Sequence, residues 1–137
     1  MGSLLHIDGS DFSDAFARRS IAVHHALVDH PLFSLDAMAE LGDRLPPDCV
    51  RRERGNLPLV NRDGYVDVGD GPPSATIRDV ERNGFRISLR DVQQDPQYAE
   101  LINECLDEVE GILGEREGGM RRRTGYLFIT APASNTP

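Results

Sequence analysis

Lysine and tryptophan are absent, and cysteine occurs only twice in 137 residues. All fifteen basic residues are therefore arginine, which reads as the codon usage of a GC-rich bacterial genome and carries no chemistry by itself. Cys49 and Cys105 show no CxxC spacing. That excludes a disulfide framework or a cysteine-rich zinc knuckle, and two free thiols suit a reducing cytoplasm. No apolar run approaches the ~18 residues of a membrane span. The opening MGSLLHIDGSDF has no basic flank and no long apolar stretch, so it does not read as a secretory signal. Internal repeats and low-complexity tracts are also missing.

What is present fits one globular domain. The length matches roughly 100–200 residues per domain, and such a chain can bury its own core without a metal or disulfide. Hydrophobic residues at 39% and charged residues at 28% are ordinary for that class and exclude a wholly disordered chain. The net charge of −8 sits in one place. Residues 91–117 hold nine acids and one base, so the rest of the chain is balanced at fourteen against fourteen. Basic clusters are limited to Arg121-Arg122-Arg123 and Arg51-Arg52-Glu53-Arg54. This pattern disfavours direct nucleic-acid binding, which needs a basic face.

The spacing of apolar residues predicts an α+β chain. Residues 11–17 form one or two helical turns with Phe12 and Phe16 on one side. Residues 19–27, with Ile21, Val23 and Ala26, read as a short strand. Ser34 caps a helix carrying Leu35, Met38, Leu41, Gly42 and Leu45, which Pro46-Pro47 stops. Residues 49–54 read as a strand and residues 61–73 as a loop. Ser74 caps a short helix to about Arg82, and Asn83-Gly84 ends it. Phe85, Ile87 and Leu89 alternate with Arg86, Ser88 and Arg90, the pattern of a half-buried strand. Asp95 and Pro96 then open the strongest helix. Its stripe of Tyr98, Leu101, Ile102, Cys105, Leu106, Val109, Ile112 and Leu113 makes it the expected main packing element. Glu100, Glu104, Asp107, Glu108 and Glu110 face water or a partner. Residues 126–130 (YLFIT) read as a buried strand.

Few residues form a chemical constellation. His6-Ile7-Asp8 has the H-x-D spacing that supplies two ligands to mononuclear iron, but it lies in a lead-in segment without strand context. His24 and His25 are neighbours, so on a strand they point to opposite faces and cannot easily chelate one ion. His30-Pro31 forms the turn before Ser34. Asn61-Arg62-Asp63-Gly64 superficially resembles a calcium loop, yet Tyr65 and Val66 occupy positions that need an oxygen ligand and glycine. Gly69-Asp70-Gly71 precedes prolines and opens on no phosphate-binding helix. The Arg121-Arg122-Arg123 run either binds an anion or neutralises the acidic helix before it. The residues thus mark no catalytic group and no metal ligand.

Four stretches taken together resemble bacterial JmjC/cupin-like proteins, relatives of Fe(II)- and 2-oxoglutarate-dependent hydroxylases. They are HPLFSLDAMAELGDRLP (30–46), SATIRDVERNGFRISL (74–89), DPQYAELINECLDEV (95–109) and MRRRTGYLFITAPASNTP (120–137). Their order and spacing carry the likeness, which covers most of the chain after about residue 10. The resemblance implies a lead-in over 1–10. Residues 11–137 would be the N-terminal part of the domain, a helical layer with short strands leading into the first strands of an incomplete double-stranded β-helix. In that family the iron-binding H-x-D closely follows a Thr-Pro pair, which Thr136-Pro137 matches. Thr136 is thereby implied as a 2-oxoglutarate contact, a hydroxyl suited to a carboxylate. The complete family domain uses Fe(II) and 2-oxoglutarate. This chain would lack the iron ligands and, alone, would hold neither cofactor and be inactive. Its expected partners are the remainder of the barrel or a second copy. Two alternatives stand beside this reading: a non-enzymatic interaction or dimerisation module derived from the family, and a transcription-associated regulator.

Overall fold

The computed structural model describes residues 2–56, 67–114 and 120–135. The supposed calcium-loop residues Asn61 to Val66 and the implied cosubstrate contact Thr136 lie outside the described residues. Among the described residues, thirteen elements build an α+β arrangement from a two-stranded and a three-stranded antiparallel sheet with helices packed on them.

The body starts at a 3-10 turn, Pro31–Phe33, and helix α2, Leu35–Arg44. (Strand β1, Leu5–His6, helix α1, Gly9–Ala15, and strand β2, His24–His25, precede them.) Ser34 Oγ accepts the Ala37 N–H at 3.2 Å, satisfying one of the donors that a helix start leaves orphaned. Asp36 in the first turn and Arg44 in the last match the helix dipole. Helix α3, Pro73–Arg78, lies against α2. Gly42 permits that closeness, because a Cβ there would come within 2.9 Å of the Ile77 side chain and 3.2 Å of Pro73.

Ser74 is not the cap that the sequence predicted. Pro73 has no N–H to satisfy and proline's fixed φ suits a helix start, so the helix begins two residues earlier with Pro72 at the cap. The Ser74 N–H is accepted instead by Asp43 of α2 at 2.9 Å. Bonds from the Ser74 hydroxyl and N–H hold the Asp43 carboxyl below its ordinary range. The predicted single helix also breaks at Asp79, and a last turn, α4, covers Val80–Asn83. Gly84, at φ +71°, ends it as expected.

Strands β3 (Val50–Arg54), β4 (Phe85–Leu89) and β5 (Leu127–Thr130) form the larger sheet in the order β3-β4-β5. Val50 pairs with Leu89 and Leu89 with Leu127; Arg52 pairs with Ile87 and Ile87 with Ile129. Period-two geometry puts these residues on one face. Val50, Ile87, Leu89 and Ile129 there meet Ala39, Leu41, Leu45, Ile77 and Val80 in the central core. Each large side chain so buried contributes roughly 1.5–3 kcal/mol.

Helix α5, Pro96–Leu113, is capped by Asp95, whose side chain accepts the Gln97 N–H at 3.1 Å. It is not the main packing element. Only Tyr98 of its stripe joins the central core, with Ile102 at the margin. The pair α2 and α3 over the sheet forms the core instead, while α5 also touches α1. Tyr98 donates its hydroxyl to the Leu32 carbonyl at 2.6 Å. Burial pushes that phenol up to about 12.

The N-terminal segment is more built than expected. Strand β1, Leu5–His6, pairs with β2, His24–His25, and α1 spans Gly9–Ala15, starting two residues ahead of the predicted 11. Phe12 and Phe16 do share a side, with ring centroids 5.8 Å apart. The predicted strand over 19–27 shrinks to His24–His25, because β1 offers it only two residues to pair with. Glu108 of α5 anchors the hairpin, accepting the Leu4 and Leu5 N–H groups at 2.7 Å each.

Candidate functional site

Strand β5 and its approach present large apolar side chains to solvent beside the core. Leu127 and Ile129 point into the core, so period two sends Tyr126 and Phe128 to the other face. They are 49% and 43% exposed, correcting the expectation that residues 126–130 are buried throughout. No described strand lies beyond β5. The Arg90 guanidinium lies 5.7 Å from the centre of the Tyr126 ring, a cation–π distance. Tyr98, Ile102, Cys105, Leu106 and Leu127 help line an apolar groove of about 240 Å³. Burial, with Glu108 and Glu104 nearby, pushes the Cys105 thiol up, which keeps it protonated and poorly nucleophilic.

The face that carries Phe128 also holds a buried ion pair. Arg86 is 3% exposed, although the alternation predicted it outward. Its guanidinium meets Glu53 across the β3–β4 pair at 2.6 Å and donates to the Asn135 carbonyl at 3.3 Å. The Ala131 N–H bonds to the Phe85 carbonyl at 3.0 Å, and the Asn135 N–H to Gly55 at 2.7 Å. The chain leaving β5 is thus tied back over this pair. A lone arginine in an alternating strand gives no sign of burial; only the register with Glu53 reveals it.

Each basic cluster turns one arginine to ion pairs within the chain. Arg123 binds Asp107 at 2.7 Å and Glu110 at 2.6 Å, so this member of the triple-arginine run neutralises the acidic helix. Arg121 and Arg122 are exposed. In the second cluster, Arg52 is buried and binds Asp67, the Gly71 carbonyl and the Thr76 hydroxyl at 3.0–3.1 Å. Burial alone would raise the Asp67 carboxyl, but the bonds from Arg52 and the Gly69 N–H outweigh it and hold the group low.

The H-x-D segment has a strand context after all, since His6 ends β1 opposite His24. Its parts do not converge on iron. Asp8 caps α1, accepting from the Ser10 and Asp11 N–H groups at 3.2 Å each. His25 and His30 use Nδ1 to accept the Leu27 and Leu32 N–H groups. Among the described residues no three His, Cys, Asp or Glu side chains gather as a metal-ion site. The described residues therefore gather no two-histidine, one-carboxylate set like that of the resembled enzymes. No described helix is long and apolar enough to cross a membrane.

Comparison with family models, curated proteins and solved structures finds no match to this chain.

Proposed function

We propose that this chain is the N-terminal layer of a JmjC/cupin-like Fe(II)/2-oxoglutarate-dependent oxygenase, and that it supplies packing and not the reacting atoms. The observation that carries this reading is the asymmetry of the sheet. One face is sealed by α2 and α3; the other shows Tyr126 and Phe128 beside the β5 edge. A strand edge of this kind accepts further strands. The tie of residues 131–135 to Arg86 and Gly55 fixes the direction in which the chain leaves β5. In the complete domain, iron and 2-oxoglutarate would supply the oxygen-activating chemistry. The test is translation of the DNA that follows the Pro137 codon. A continuing frame with H-x-D within a few residues is expected; a stop codon at that point overturns the reading.

The exposed Tyr126 and Phe128 also favour a second reading, an interaction module that pairs with its own copy through β5. Light scattering across the micromolar range decides it: a mass that rises with concentration supports pairing, and a constant monomer mass removes it.

A further inference from the structure

We propose that His6 and His24 form a two-imidazole site for a divalent transition ion such as zinc or nickel. The inference is independent of the oxygenase reading. His6 lies opposite His24 in the β1–β2 register, so both side chains leave the same face of the hairpin. The Ala26 N–H bonds to the Leu4 carbonyl at 2.9 Å, which marks Leu4 and Ala26 as a hydrogen-bonded pair. Two residues along, the alternation makes His6 and His24 such a pair too, with Cα atoms about 5.5 Å apart. An ion held at 2.0–2.1 Å by each imidazole needs two nitrogens about 3 Å apart, within the reach of exposed side chains on that spacing.

Both histidines are exposed, and neither imidazole accepts or donates a hydrogen bond among the described residues. They differ in this from His25 and His30, whose Nδ1 atoms are occupied. The strand that carries His6 is also held in place. Glu108 grips the Leu4 and Leu5 N–H groups with its two carboxylate oxygens, so β1 is fixed to α5 just before His6. The same bonds keep Glu108 from serving as a third ligand, and its charge beside His6 favours a cation. Water would complete the coordination. Imidazole ligands select zinc, nickel or copper over magnesium or calcium.

The test is calorimetric titration of the whole chain with Zn²⁺ and Ni²⁺, alongside imidazole NMR signals. One ion per chain is expected, with the His6 and His24 signals moving together. His6→Asn and His24→Asn should each weaken binding about tenfold or more. His25→Asn and Cys105→Ser should leave it unchanged, and Mg²⁺ should not bind. Melting curves without metal confirm that the variants fold. Absence of binding, binding that survives both His6→Asn and His24→Asn, or loss in His25→Asn would each overturn the proposal.

Discussion

The body around Ile87 and the hairpin around His6 are held by different forces. In the body, Leu41, Ile77, Ile87 and Leu89 are fully buried, and apolar surface removed from water dominates. Among the described residues 2–30, Ala15 alone is buried. The hairpin hangs instead on carboxylates: Glu108 holds Leu4 and Leu5, and Asp8 caps α1. Cohesion in the body is non-directional and survives small shifts. The hairpin depends on a few directed bonds, which hold position well but contribute modestly to stability. The side chains of His6 and His24 on it are therefore placed without being sealed.

The largest expected effect lies in the body. Leu41→Ala should cost about 3–4 kcal/mol in denaturant unfolding, from lost transfer energy plus a cavity. Arg86→Ala should come next, at about 3 kcal/mol, because it leaves Glu53 facing a partly buried space without its cation. A double replacement, Arg86→Met with Glu53→Leu, should recover most of that loss. Equal losses for the single and double variants would mean that packing, not the charge pair, matters there. Asp95→Ala should cost about 1 kcal/mol through the lost α5 cap.

The smallest global effect, and the sharpest contrast, belongs to Glu108→Gln. Amide exchange at Leu4 and Leu5 should accelerate while Ile87 and Leu89 stay protected; loss of protection at both would merge the two regions into one cooperative unit. Acid should act in the same direction. The Leu4 N–H holds the Glu108 carboxyl low against the effect of burial, helped by the Leu5 N–H, the Ser3 hydroxyl and His6. Asp8 is held low by the Asp11 N–H and the Ser10 hydroxyl. Carboxyls lowered in the fold stabilise it above their unfolded values of about 3.9–4.3, and that support is lost as pH falls through the folded values. The hairpin amides should therefore open below about pH 4 ahead of those in β4.

Elements built on apolar periodicity were legible in the sequence. Ser34, the Leu41 stripe, Ile87 with Leu89, and Asp95-Pro96 all stand where their spacing puts them. Features that need a distant partner were not. Burial of Arg86 depends on Glu53 in another strand, the Ser74 N–H turns to Asp43 of α2, and His6 meets His24 across eighteen positions. The α5 stripe misled because periodicity shows that a face is apolar but not which neighbour covers it.

The most direct measurement is succinate formation from 2-oxoglutarate with added Fe(II), run on residues 1–137 and on whatever longer polypeptide the reading frame encodes past Pro137. The expected result is turnover in the longer protein and none above a metal-free control in the shorter one. Succinate from residues 1–137 alone, or a folded longer protein that consumes no 2-oxoglutarate, would contradict the assignment of this chain as the packing layer of an oxygenase.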